Sequence, residues 1–245
     1  MSTLVDLAAT LRDQIDQLRF GPPVACTYNP LRYAWDPHRR YLERYGKGRK
    51  RVVFMGMNPG PYGMTQTGVP FGEIAAVRDW LHIQGKVEPP ACEHPKRPIT
   101  GFACPRSEVS GRRLWGLFAA RFGEPDAFFA EHFVLNYCPL VWMSDTGANL
   151  TPDKLPAQAQ AAVNRLCEAN LAAALRLLRP DYAVGIGAYA AQRLAAVTTP
   201  ADRWQVTQIL HPSPASPAAN RDWAGAATKA LVTAGIWPPV VDSAR

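Results

Sequence analysis

An α/β domain, with a parallel sheet covered on both faces by helices, is predicted by three features of the sequence. Short, β-branched apolar runs recur along the chain; stretches with apolar residues three and four apart lie between them; and the prolines fall between these segments rather than massing in a tract. With 245 residues, 47% of them hydrophobic and 19% charged, the chain is long enough for one sizeable core. It shows no internal repeat and no linker, so one domain over 1–245 is expected, with 1–24 as an N-terminal helix packed on it.

Each element has its own warrant. Leu4, Leu7, Leu11, Ile15 and Leu18 form one face of an amphipathic helix over 4–18. An irregular aromatic stretch (Tyr28, Tyr33, Trp35) precedes Arg51-Val52-Val53-Phe54-Met55, a buried strand ended by Gly56. A glycine- and proline-rich loop follows, then a helix over 73–82, a long loop over 84–107 and a helix over 111–122 whose core face holds Leu114, Trp115, Leu117 and Phe118. Phe133-Val134-Leu135 and Tyr182-Ala183-Val184-Gly185-Ile186 are the next strands. Between them Val163, Leu166, Cys167, Leu171, Ala174, Leu175 and Leu178 keep helical spacing until Pro180. A helix over 188–197, a strand near 204–210 and a helix over 218–235 complete the chain.

Some function classes are set aside by composition. No uncharged apolar run is long enough to cross a bilayer, since Arg176 interrupts the best candidate, and Asp6 and Arg12 deny the N-terminus a signal-peptide core. The protein is therefore expected to be intracellular, in cytoplasm or nucleoid if bacterial, with no membrane partner. Cys26, Cys92, Cys104, Cys138 and Cys167 are widely spaced without a C-x-x-C pair, so they read as structural thiols and no metal site is expected. Lys plus Arg number 27 against 20 Asp plus Glu, and the excess sits mainly in 38–51, where Arg39, Arg40, Arg44, Lys47, Arg49, Lys50 and Arg51 face only Glu43. Such a segment is either a footprint for a polyanion, or a solvated helix end or localisation signal.

In an open parallel sheet the binding crevice lies beyond the carboxyl ends of the strands. Three segments converge there: 56–72 after the first strand, Asn136-Tyr137-Cys138-Pro139-Leu140 after the second, and His211-Pro212-Ser213-Pro214-Ala215-Ser216-Pro217 after the last. Asn58 cannot act as a general base, but its amide can hold a water in line with a reacting carbon. His211 can donate to charge developing on a leaving group. Asn136 offers a donor and an acceptor to a pyrimidine edge, and Phe71 a flat face for stacking. The set suits separation of a base from its sugar. No Asp or Glu lies in these loops, which argues against a paired-carboxylate glycosidase. Segment 56–64 also lacks the lysine and glycine spacing of nucleotide-phosphate loops.

The strings GMNPGPYGM-x-QTGVPFGE (56–73), EHPKRP (93–98), SEVSG-x-x-x-WG (107–116), N-x-CPL (136–140) and HPSP-x-x-P-x-AN (211–220) resemble the single-strand-selective monofunctional uracil-DNA glycosylase family of the uracil-DNA glycosylase superfamily. The resemblance implies a three-layer fold with a central four-stranded parallel sheet between helices. It also implies excision of uracil and 5-hydroxymethyluracil from DNA to leave an abasic site, with no cofactor or metal. Asn58 would hold the hydrolytic water, His211 would stabilise the departing anion, Phe71 would stack on the base and Asn136 would read its edge. Gly56, Met57 and Met64 would line the base site. Gly60 stands where relatives carry a bulky side chain that excludes 5-substituents. Pro212, Ser213, Pro214, Ala215 and Ser216 would meet DNA. Ala215 and Ser216 replace the long basic side chain often found there, so this wedge is expected to hold a duplex open less well. Tyr62 replaces a usual Phe, its hydroxyl expected to reach solvent. Lys96, Arg97, Arg112 and Arg113 are further candidates for phosphate contact, with plain surface charge as the equal alternative. The partner expected is uracil-containing DNA, single-stranded in the first place and double-stranded in the second, bound by a monomer. A glycosylase for deaminated purines such as hypoxanthine or xanthine, or a non-catalytic lesion-binding protein, are the alternatives, and the intact Asn58 and His211 speak against the second.

Overall fold

In the computed structural model, which describes residues 2–239, the chain opens with α1 (Leu4–Ile15), started by a reciprocal capping box between Thr3 and Asp6. There follow β1 (Cys26–Tyr28), α2 (Pro30–Tyr33), α3 (Trp35–Tyr45), β2 (Val52–Gly56), α4 (Met64–Thr67), a π-helical turn (Ala76–Trp80), α5 (Val109–Phe122), α6 (Pro125–Phe129) and β3 (His132–Asn136). The second half holds β4 (Val141–Met143), β5 (Asn149–Leu150), α7 (Ala157–Leu178), β6 (Tyr182–Ile186), α8 (Ala188–Val197), β7 (Gln205–Ile209) and α9 (Pro217–Thr233).

The expected parallel sheet has four strands in the order β3-β2-β6-β7. β2 is buried throughout, which is why its sequence is a continuous apolar run. Successive side chains of a strand face opposite ways. Phe54 accordingly packs on Phe118 of α5 and Phe128 of α6, whereas Phe133 stacks on Tyr41 of α3 across the sheet. α1, α7 and α8 extend the α3 side, and α9 lies beside α5 on the other, giving three layers. The chain passes from β2 to β3 on one side and then crosses to β6 on the other. The carboxyl ends of β2 and β6 therefore form the switch point where a crevice opens.

Several elements differ from expectation. Gly56 does not end the first strand but is its last paired residue, opposite Asn136. The 4–18 helix stops at Ile15, and the 73–82 helix narrows to the π-helical turn, halted by His82 at φ +51°. β1, β4 and β5 form a second, antiparallel sheet that the sequence pattern does not announce. The stretch around 35–45 is helical, and its charges are largely spent within the protein. Arg40 reaches Asp36 at 3.0 Å and Arg39 reaches Glu43 at 3.2 Å. Arg49 pairs with Asp181, Arg51 with Glu131 at 3.0 Å, and the buried Lys50 donates to the Phe129 carbonyl. Because β2 starts at Val52, residues 47–51 lie at the amino end of the sheet, opposite the crevice. The solvated-face reading of this segment is the one the geometry favours.

Two histidines belong to the core. His38 Nδ1 donates to the Gly68 carbonyl at 2.7 Å; His132 Nδ1 donates to the Phe128 carbonyl at 3.0 Å, while its Nε2 accepts from Trp237 Nε1 at 3.2 Å. Burial pushes each down to about 4, so both are neutral at pH 7.

Candidate active site at the carboxyl edge of the sheet

Beyond the last hydrogen bonds of β2 and β3 the two chains stay paired: Tyr137 N–H donates to the Gly56 carbonyl at 2.8 Å and Cys138 N–H to the Met57 carbonyl at 2.9 Å. This brace carries Asn58 and Asn136 into one cleft of about 790 Å³. Met57, Gly60, Met64, Phe71, His211, Ser213 and Pro214 also line it. The Asn58 amide donates to the Leu140 carbonyl at 3.3 Å, which orients the side chain and leaves its Oδ1 to accept from a water. Asn136 Nδ2 contacts Met64 Sδ at 3.3 Å, a weak bond that a better acceptor would replace.

Gly56 explains the shape of the cleft floor. A Cβ there would lie 2.5 Å from Asn136 Oδ1 and 2.5 Å from the Phe71 ring, so the amide and the aromatic meet over bare backbone. Phe71 is held in the left-handed region at φ +52°, a sparsely populated conformation for a bulky residue that costs of order 1–3 kcal/mol. Its carbonyl accepts from Trp115 Nε1 at 3.0 Å and from Glu73 N–H at 2.7 Å, which locks the strained turn. The His211 ring is tilted 42° to that of Phe71, with centroids 6.2 Å apart. Burial lowers the His211 pKa, favouring a neutral imidazole. Gly187, at φ +92°, lets the His211 side chain approach: a Cβ there would stand 3.1 Å from that of His211.

The loop after β7 is tied down from two helices. Arg113 of α5 donates to the carbonyls of Pro212 at 3.1 Å and Ser213 at 3.4 Å and to Asn220 Oδ1 at 2.9 Å. Asn220 in turn donates to the Pro214 carbonyl at 2.8 Å. Arg113 is thus a loop anchor and not a free phosphate contact. Pro212 is buried and lies outside the cleft lining; Ala215 is exposed at the rim, and Ser216 caps α9 through Ala219 N–H.

Other residues enter the site unannounced. Asn149 and Thr151, brought by the small antiparallel sheet, line the cleft. The Tyr62 hydroxyl does not simply reach solvent: it accepts from Arg97 Nη1 at 3.1 Å and Arg106 Nη1 at 3.0 Å, and both guanidiniums lie against its ring. Glu108 also lines the cleft, although no carboxylate occurs in the three converging loops. The only sequence signal for it is the SEVSG string itself. Among the described residues no cluster of His, Cys, Asp and Glu could hold a metal, and all five cysteines are free.

A strained aromatic plate and two amides gathered at a switch point form a slot that can hold one flat ring with a polar edge. The family model of the uracil DNA glycosylase superfamily matches residues 43–232, and the chain belongs to that superfamily. Within it, the chain is 49% identical over 236 residues to the single-strand selective monofunctional uracil-DNA glycosylase of Rattus norvegicus, covering 95% of this chain and 84% of the rat protein. It is 48% identical over 229 residues to the Bos taurus protein of the same name, covering 93% and 84%. The crystal structure of wild-type Pedobacter heparinus SMUG2 shares the fold, with a TM-score of 0.68 at 17% identity over 96% of this chain and 99% of that one.

Proposed function

We propose that the chain is a monofunctional DNA glycosylase that hydrolyses the bond between uracil and deoxyribose, accepts 5-hydroxymethyluracil as well, and leaves an abasic site for repair. The observation that carries this reading is the slot over Gly56, where ring and amide meet with no side chain between them. A pyrimidine laid there stacks on Phe71 and presents its Watson–Crick edge to Asn136, whose amide donates to O4 and accepts from N3–H; cytosine reverses both polarities and is rejected.

Extrusion of the target nucleotide costs a few kcal/mol, least in single-stranded or mispaired DNA. The exposed Ala215 offers little to fill the gap in a duplex, so single strands are the preferred substrate. As the glycosidic bond stretches, the sugar gains positive charge and the base becomes an anion. Neutral His211 donates to that anion, and the water held by Asn58 Oδ1 attacks the sugar carbon from the opposite side. No lysine lines the cleft among the described residues, so there is no amine for a Schiff base and the strand stays intact. One chain supplies the whole site, and the working unit is taken as the monomer, acting wherever the cell keeps its DNA.

The test is a panel of oligonucleotides carrying uracil, 5-hydroxymethyluracil or hypoxanthine, single- and double-stranded, with and without alkali. Release of uracil and 5-hydroxymethyluracil with alkali-dependent nicking is expected. Hypoxanthine release alone would overturn the pyrimidine reading, binding without release would make the protein a lesion binder, and nicking without alkali would overturn monofunctionality.

A further inference from the structure

Widely spaced along the chain, two of the five cysteines meet in space. Cys26 and Tyr28 of β1 stand two residues apart and so face the same way, both buried. That face is covered by the 92–98 segment. The Tyr28 hydroxyl accepts from the His94 N–H at 2.7 Å and donates to the Arg97 carbonyl at 2.8 Å, which fastens the middle of the segment to the small antiparallel sheet. At the start of the segment Cys26 Sγ lies 3.7 Å from the Cys92 carbonyl oxygen and 3.8 Å from Cys92 Sγ, across 66 residues of sequence. One strand thus fastens the segment at two points, the first by hydrogen bonds and the second by a pair of thiols in contact.

The two thiols differ in access. Cys26 is only 6% exposed, whereas Cys92 is exposed and lines a cleft of about 870 Å³ together with Arg19, Arg32 and Glu88. A charged reagent the size of a short peptide therefore has room beside Cys92 and none beside Cys26. We propose that Cys26 and Cys92 form a reversible oxidation site, closed to a disulfide by low-molecular-weight disulfides such as glutathione disulfide, which locks the 92–98 segment onto β1. Sulfurs 3.8 Å apart need to approach by only about 1.8 Å to bond, and Cys92, in an exposed bend, is the end free to move. In a reducing compartment such a pair rests as thiols and closes only when small disulfides accumulate.

The exchange runs in two steps. The Cys92 thiolate attacks one sulfur of the reagent, a mixed disulfide forms, and one reagent thiol leaves with the proton that Cys92 gave up. Cys26 then attacks Cys92 Sγ; the protein disulfide forms as the mixed one breaks, and the second reagent thiol leaves with the Cys26 proton. Two protein thiols are oxidised by two electrons and one small disulfide is reduced. Burial, followed by the neighbouring Cys92 and Glu93, pushes the Cys26 thiol up to about 12, which makes it the second nucleophile and not the first. The share owed to Cys92 disappears once that sulfur is bound to the reagent. Cys138 and Cys167 are fully buried, out of a reagent's reach. Arg97, inside the locked segment, donates to the Tyr62 hydroxyl at the cleft, so the new bond also stiffens the rim of the cleft.

The test equilibrates wild type, Cys104→Ser, Cys92→Ser and Cys26→Ala with glutathione and glutathione disulfide over a range of ratios, alkylates the remaining thiols and maps the peptides by mass spectrometry. Thermal melts and limited trypsin digestion compare each protein with its own reduced form. Wild type and Cys104→Ser should lose the mass of two hydrogens and yield peptides joined through Cys26 and Cys92. Their Tm should rise by about 5–15 °C, as a bond closing so long a loop implies, and cleavage after Lys96 should slow. Cys26→Ala should stop at a mixed disulfide on Cys92, and Cys92→Ser should keep its Tm. Affinity for a single-stranded abasic-site oligonucleotide should rise about 2- to 10-fold on oxidation of wild type, because Arg97 is ordered in advance. A mixed disulfide as the end product in wild type, a bond between other cysteines, or an unchanged melt with the bond formed overturns the site. The binding measurement alone rests on the glycosylase reading: equal affinity of both forms overturns the coupling to the rim, and no binding by either form overturns that reading instead.

Discussion

Replacing Gly56 by alanine tests the base slot most directly. The new Cβ would lie 2.5 Å from Asn136 Oδ1 and 2.5–2.6 Å from two Phe71 ring atoms, where ordinary contact begins at 3.4 Å. Amide and ring must each give way by about 1 Å, or the chain between them must bow, and a misplacement of that size costs about 10²-fold in rate. The same overlap costs about 1–3 kcal/mol of stability, a fall of roughly 2–12 °C in Tm for a chain of this length. Gly116 on α5 is the control, because a Cβ there meets nothing within 4 Å. Single-turnover release of uracil from a single-stranded oligonucleotide, with thermal melts of the same preparations, should show Gly56→Ala folded but at least about 100-fold slower, and Gly116→Ala unchanged. Wild-type release by a folded Gly56→Ala would refute the argument, since the base could then not be held between Phe71 and Asn136.

Other outcomes follow from the same geometry. His211→Ala and Asn58→Ala should each lose about 10²–10³ in single-turnover rate, read alongside binding to an abasic-site oligonucleotide to show that the surface is intact. Replacing Arg97 and Arg106 by glutamine should flatten the dependence of log Kd on log salt by about one per arginine, while glutamines at Arg39 and Arg40, already paired with Glu43 and Asp36, should leave the slope alone. His38 and His132 have folded pKa values lowered from 6.5 to about 4, so the unfolded chain binds their protons first as pH falls. Their stability contribution is complete above about pH 6.5 and is lost between there and pH 4, on the order of 3 kcal/mol per histidine, which urea unfolding across that range would register.

β2, β3 and β6 are legible because burial leaves them as mainly apolar runs, the more exposed edge strand β7 (Gln205–Ile209) is legible from its place between two helices, and the site loops are legible because they follow those strands directly. α3 is hidden by its composition: its inward face is built from Trp35, His38, Tyr41, Leu42 and Tyr45, so aromatic and polar rings stand where leucines would announce a helix. The small sheet is hidden by its length, since strands of two and three residues carry no alternation and their pairing is set by distant partners such as Cys26 with Met143. Asn58, Phe71, Asn136 and His211 could be named because their chemistry is special at strand ends. Glu108 could not be given a task in the same way. Its place in the cleft depends on Gly60 and Gly63 of one loop and Gly111 of its own helix leaving room around it, a fact of space and not of spacing.

Helix α5 acts as a jig. Gly111 is seated against the Phe71 carbonyl, Trp115 bonds that same carbonyl, Arg113 grips the loop bearing His211, and Glu108 stands at its first turn. Plate, imidazole and acid are therefore indexed to one rigid rod, whose inner side is Leu114, Trp115 and Phe118. A methyl added or removed on that inner side would slide all three fittings together, so distant core substitutions can retune which bases are accepted without altering any residue that touches them.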